Sequence, residues 1–275
     1  MTLKIGEELR DEAAEFHAFL GTLDEKDWAT PTLFMNWTPW DVVAHLHFFD
    51  LVSLAALTDA DEFKRRQKSL IEGMAAKVSG TEQTRRELAR YDAPELLARW
   101  KETCDDMATR LANSDPKRRL PWFGPDMGVQ MFTTARLMET WSHSRAVYDM
   151  KKVVPVQHDR IQNIVAIGVK TFGWTFINRK LEVPGPPPHV RLTAPSGAIW
   201  EYNEPSETER IEGEAVDFCL TVAQVRNVAD TNLSVVGDVA NQWMSIAQCF
   251  AGGPVDPPKP GYRTGNQETL RKGSS

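Results

Sequence analysis

The chain has little cysteine, no excess of positive charge, no glycine-rich phosphate loop and no internal repeat, and each shortage removes a class of protein. Its three cysteines in 275 residues, Cys104, Cys219 and Cys249, are far apart and odd in number. They make neither a disulfide framework nor a cysteine-rich zinc site. Lys and Arg total 32 against 38 Asp and Glu, a formal net charge of -6. That balance argues against a general nucleic-acid binder, which needs a dominant basic face for counterion release. No apolar run approaches the ~20 residues that span a bilayer, so no membrane span is expected. The N-terminus turns acidic by Glu7 and Glu8 and has no apolar core segment, so it does not read as a signal peptide. The expectation is a reduced, cytoplasmic protein acting on a small molecule, with its oligomeric state open and a homodimer among the states allowed.

Tryptophan, by contrast, is plentiful: nine residues, of which Trp28, Trp37, Trp40, Trp100, Trp122, Trp141 and Trp174 fall in the first two-thirds. Such rings build cores and also line pockets for apolar or aromatic ligands, core being the commoner fate. Leu9, Ala13, Phe16, Leu20 and Leu23 follow a helical period and predict a helix over 3–23. Thr38, Pro39 and Asp41 form a helix start: an N-cap, a proline at the first helical position and an acid in the positive first turn. That helix should run to about Thr58. Further helices are expected at about 60–78, 81–113 with an interruption at Pro94, 129–150 and 157–181. Residues 113–128 read as loop, including the unusual run Arg119-Leu-Pro-Trp-Phe-Gly-Pro-Asp126.

Pro184-Gly-Pro-Pro-Pro188 is the strongest composition break, and a helix cannot cross it. Beyond it, short β-like runs at 190–193, 198–202, 208–211 and 233–236 alternate with helical patterns at 213–226 and 238–251. The fold class expected is therefore α followed by α+β, with an all-helical domain at 1–183, a small α+β domain at 189–253 and a flexible tail at 254–275.

Chemistry concentrates in the helix at 129–150. Arg136, Glu139 and His143, spaced by three and four, share one face, which Phe132 and Val147 continue. Ionisable groups inside an apolar stripe are costly unless paired or bound to a metal. Glu139 and His143 can reach one ion; an ordinary surface pair at i,i+4 is the alternative. His45 points to the apolar side of its own helix, beside Val42, Phe49 and Val52, although a satisfied core histidine reads the same way and His47 competes for the role. Were His45 to face Glu139 and His143 across a helix bundle, the set would be two histidines and a glutamate with open positions, as in catalytic zinc or non-haem iron sites.

The segment Asn36-Trp-Thr-Pro-Trp-Asp-Val-Val-Ala-His-Leu46 resembles the helix start of the DinB-like metal-binding superfamily, and more closely that of the mycothiol-dependent maleylpyruvate isomerase N-terminal domain. Arg136-Leu-Met-Glu-Thr-Trp-Ser-His143 is similar to that family's Arg-x-x-Glu-x-x-x-His signature. The proline-tryptophan run at 119–125 and Asp217-Phe-Cys-Leu220 resemble a metal-binding subgroup of it. The resemblance spans residues 5–253. It implies a four-helix bundle with extra helices, followed by a sterol-carrier-like α+β domain. It implies His45, Glu139 and His143 as ligands of a divalent metal, commonly Zn2+, and a low-molecular-weight thiol as cosubstrate.

Arg136 and Arg226 are the catalytic candidates. Arg136 would hold a substrate carboxylate or stabilise an enolate, or else pair with Glu139. Arg226 matches an arginine near the isomerase active site, or is a surface charge at a helix end. One residue departs from the pattern. Ala146 stands where the family usually has an aspartate, which weakens transfer of the isomerase reaction more than transfer of the metal site. Three readings stay open: a thiol-dependent isomerase or transferase, a thiol-independent metal-dependent hydratase, lyase or hydrolase, and a non-catalytic lipid or small-molecule binding protein.

Overall fold

A computed structural model describes residues 2–263, and contacts between residues divide the chain into two units, 1–147 and 148–275. The first unit is helical: α1 (Lys4–Leu20), α2 (Glu25–Ala29), α3 (Pro39–Thr58), α4 (Ala60–Ala75), α5 (Gly80–Leu88), α6 (Ala93–Ala112) and α7 (Val129–Lys151), the last running on into the second unit. A two-stranded antiparallel hairpin, β1 (Arg119–Leu120) and β2 (Met127–Gly128), precedes α7.

Helices α1 and α3 both pack on α6. The periodic residues Leu9, Ala13, Phe16 and Leu20 of α1 are buried, as are Trp100, Cys104, Met107 and Leu111 of α6. Gly6 lets these two backbones approach: a Cβ there would meet the Ala112 nitrogen at 2.7 Å. The helix start at Thr38 forms as the sequence indicates, with a complete capping box in which Thr38 and Asp41 each accept the other's backbone N–H. Asp41 also takes a bidentate ion pair from Arg85 of α5, at 2.7 and 2.8 Å.

Helix α3 is the exception to the expectation on apolar runs. By length and composition it could cross a membrane, but 72% of its apolar window is buried in the fold. It supplies the inner layer of a globular unit.

Within this apolar layer sits one fully desolvated charge pair. Arg136 of α7 donates to Asp50 of α3 through Nε at 3.1 Å and Nη2 at 2.8 Å, and Trp100 Nε1 of α6 donates to the other Asp50 oxygen at 3.1 Å. Arg136 is 3% and Asp50 0% exposed. Burial pushes the Asp50 carboxyl up, and Arg136 and Trp100 offset this only in part. A second buried contact, Arg145 Nη2 to Glu12 Oε1 at 3.3 Å, ties α7 to α1.

The second unit holds α8 (Gln162–Lys170), α9 (Phe172–Asn178), β3 (His189–Thr193), β4 (Ile199–Tyr202), β5 (Arg210–Glu214), α10 (Ala215–Val222), β6 (Ser234–Val236) and α11 (Asp238–Ile246). Its sheet runs β4-β3-β5-β6, with β3 and β5 parallel and the outer pairs antiparallel. Val190, Leu192 and Ile211 alternate with more exposed residues and are fully buried. Helix α8 packs on α10, where a Cβ on Gly168 would meet Phe218 and Val222 at 2.9 Å.

Several boundaries differ from the sequence expectation for identifiable reasons. The helix expected at 81–113 is two helices, because Asp92 caps a new one and Pro94 sits in its first turn. That expected at 157–181 is broken at Thr171, between α8 and α9. The loop at 113–128 contains the β1–β2 hairpin. The proline-rich break at 184–188 lies inside the second unit, since α8 packs on α10 and α9 on α11, beside the sheet. Of the expected tail at 254–275, residues 264–275 lie outside the described residues. In the remainder, Gln224 and Asn227 donate to the carbonyls of Val255 and Pro258.

Two outcomes follow for stability. Arg136→Met leaves Asp50 buried without its partner and should cost about 3–5 kcal/mol in chemical denaturation. The double variant Asp50→Leu/Arg136→Met should recover most of that loss; equal losses in both would show the pair is not what holds these helices. Asp41 is also buried, but its Arg85 and Thr38 hydrogen bonds outweigh desolvation and hold its carboxyl below the ordinary aspartate value of 3.8. Its contribution is therefore complete above about pH 4 and lost as pH falls through the lowered folded value. Asp41→Ala should cost about 2 kcal/mol at neutral pH, and the gap from wild type should close on acidification.

Candidate metal centre

Because Thr38 fixes where α3 begins, His45 falls two turns further along on the face toward α7. Glu139 and His143, one turn apart on α7, meet it there. His45 Nε2 lies 3.3 Å and His143 Nε2 3.1 Å from the same oxygen, Oε2 of Glu139. The donor atoms of all three side chains lie within 4.8 Å of one another. The side chains are partly accessible, at 19%, 14% and 24% for His45, His143 and Glu139.

The electrostatics suit a cation. Burial, then the neighbouring His143, lowers the His45 pKa to about 4, against the opposing pull of Glu139. At neutral pH its imidazole is uncharged, the form that binds metals. Glu139 is held well below the usual carboxylate range: burial opposes ionisation, but hydrogen bonds from His143 and His45 outweigh it. Two imidazole nitrogens and a carboxylate oxygen are the donor set of open catalytic zinc sites. Ligands about 2.1 Å from a tetrahedral zinc stand about 3.4 Å from each other, close to the 3.1 and 3.3 Å separations here. The residues fit a divalent ion.

Aromatic rings enclose the imidazoles. Trp37 stacks on His143, with centroids 5.4 Å apart and planes 9° apart, and Phe34 meets the same ring edge-on at 5.2 Å. The turn carrying these rings is strained, with Met35 and Asn36 both left-handed at φ of 51° and 57°. It is closed by Thr32 N donating to the Trp37 carbonyl at 2.8 Å. On the other side Phe49 lies 4.8 Å from the His45 ring.

The structure brings His45, Glu139 and His143 together. His47 is apart from them, buried near Arg99 and Arg66, with burial and those charges lowering its pKa to about 4. Arg136 pairs with Asp50, a partner the sequence reading did not name, and not with Glu139. Arg226 belongs to the second unit, where its guanidinium grips both oxygens of Asp149 at 2.8 and 2.5 Å. Ala146 is buried, and its neighbour Arg145 sits over the Trp141 ring and pairs with Glu12. Asp50 carried a legible signal, an acid inside the apolar run from Leu46 to Val52. Phe34 and Trp37 did not, because their approach depends on two left-handed residues.

Comparison with known proteins bears on the family and the fold. Residues 9–148, half of the chain, match the model of the mycothiol maleylpyruvate isomerase N-terminal domain. Proteins from two strains of Mycobacterium tuberculosis, each described as an uncharacterized protein, are 36% identical over 248 residues, covering 90% of this chain and 95% of each relative. The crystal structure of the mycothiol-dependent maleylpyruvate isomerase is similar in fold, with a TM-score of 0.53 at 11% identity over 80% of this chain and 88% of that one. A single-site variant of that enzyme superposes equally well, at 10% identity and the same coverage. By its family match and by relatives alike along nearly their whole length, the chain belongs to the mycothiol maleylpyruvate isomerase N-terminal domain family.

Proposed function

We propose that this chain is a metal-dependent enzyme that uses a low-molecular-weight thiol for isomerase or transferase chemistry on a small organic substrate. The observation that carries the reading is the convergence of His45, Glu139 and His143 on one point, with three protein donors among the described residues. A closed structural zinc site normally has four. The similarity in fold to a mycothiol-dependent isomerase supports the thiol. The two-helix, four-stranded part of the second unit fits a sterol-carrier-like domain, and the first unit a DinB-like four-helix bundle with extra helices.

A divalent ion held by the three side chains, Zn2+ by this donor set, would favour the thiolate of a bound thiol. The chain supplies no nucleophilic sulfur of its own, since Cys104, Cys219 and Cys249 are all buried. His45 offers a neutral nitrogen, His143 a second imidazole nitrogen, and Glu139 the carboxylate of the set. Trp37 and Phe34 pack against the imidazoles, fix their ring planes and keep bulk water from that side. Arg136 acts at one remove: through Asp50 it holds α7 against α3, which sets the spacing between His45 and the other two donors. Arg226 is committed to Asp149 within the second unit.

A second reading keeps the metal and drops the thiol, giving hydratase, lyase or hydrolase chemistry. The observation favouring it is Ala146, an apolar residue where the family usually carries an aspartate.

Elemental analysis of protein purified from metal-replete expression should find about one divalent ion per chain, and His143→Ala should weaken metal affinity by more than about 100-fold with its helical content intact. Equal metal in both, or none in the wild type, removes the metal. Turnover of an activated alkene should then depend on an added low-molecular-weight thiol such as mycothiol. Metal-dependent turnover indifferent to thiol would move the assignment to the second reading.

A further inference from the structure

The run at 119–126, singled out in the sequence and so far without a role, comprises β1 and the tip of the β1–β2 hairpin. It is anchored at tip and base: Gln67 donates to the Trp122 carbonyl at 2.9 Å, Arg118 donates to the Leu57 carbonyl at 2.6 Å, and Arg119 reaches the Asp126 carbonyl. Trp122 packs edge-on against both Phe132, at 5.0 Å, and Phe123, at 5.1 Å. Phe123 then approaches Phe49 at 6.4 Å, and Phe49 lies against His45. A continuous chain of rings thus leads from the metal-ligand set to the hairpin tip. Phe123 keeps 38% of its surface exposed, although it sits among apolar neighbours.

The cation that the sequence places on the trio's face of α7 is already committed. That cation, Arg136, is bonded to the buried Asp50. It therefore does not reach out to a substrate carboxylate. What borders the ligand set on this side is aromatic surface, which recognises flat or apolar groups by stacking and burial.

We propose that Trp122 and Phe123 are specificity-determining residues that receive an aromatic or apolar portion of the substrate, whose polar head is held at His45, Glu139 and His143. The proposal rests on the metal reading of that trio and adds the substrate class to it: an uncharged, ring-bearing or hydrophobic compound in preference to a small dicarboxylate.

The test uses three hydroxamates with the same metal-binding head and different tails: phenyl, methyl and a short chain ending in a carboxylate. Each is titrated calorimetrically into the zinc-loaded full chain. The phenyl compound should bind at least about tenfold more tightly than the methyl one. Phe123→Ala and Trp122→Ala should each cut that preference below about threefold, while zinc content and affinity for the methyl compound stay unchanged. Phe123→Trp should retain it. A wild-type preference for the carboxylate tail, equal binding of phenyl and methyl, or a preference that survives both alanine variants would overturn the proposal. If the chain takes up no zinc, the metal reading fails separately, and the wall is read with 2-naphthol on the metal-free chain. Binding weakened about fivefold by Phe123→Ala would sustain the aromatic site, and unchanged binding would refute it.

Discussion

The Asp50–Arg136 pair is the constraint on which the candidate site depends. The three donor side chains sit on two helices, and nothing in the backbone hydrogen bonding of α3 or α7 fixes one helix against the other. Apolar packing alone tolerates small slides, because Leu, Val and Phe can repack with little loss. A buried guanidinium with its carboxylate cannot move without leaving a desolvated charge unpaired, which is far more costly. Trp100 extends the restraint to α6 by donating to the second Asp50 oxygen. The ion pair thus need contribute little net stability to be decisive: it specifies the register that brings His45 within reach of Glu139 and His143.

The surroundings of the trio divide the work differently. The left-handed turn at Met35 and Asn36 brings Trp37 and Phe34 onto the His143 ring, while Phe49 flanks His45 from within its own helix. These side chains pack against the imidazoles and restrict the orientation of their rings. The family relationship covers the first unit, and similarity to solved structures extends to most of the chain at only 10–11% identity.

Much of this was legible in the residues. Thr38, Pro39 and Asp41 announce the start of α3, and with it the position of His45. The three- and four-residue spacing of Arg136, Glu139 and His143 announces one face of α7. The four strands follow from runs of alternating apolar residues, as at Val190 and Leu192. Less legible was whatever depends on tertiary pairing. Arg136 has both Glu139 at i+3 and Asp50 on another helix as possible partners, and only packing decides between them. Pro184–Pro188 lies beyond the end of α9 at Asn178 and inside the second unit, and α8 carries no local mark of the unit it joins. The hairpin at 119–128 escaped because two-residue strands leave no period to detect.

The placement of sulfur has a further meaning for a protein read as using an external thiol. Any such cosubstrate is accompanied by its oxidised, disulfide form, which exchanges with accessible protein thiolates. Here every cysteine is buried, and Cys104, beside Asp50, has its thiol pKa pushed well above 9.0, first by burial and then by that carboxylate. A protonated, enclosed sulfur is a poor partner for exchange. A small-molecule thiol pool, reduced or oxidised, therefore meets no exposed cysteine on this chain to mark covalently.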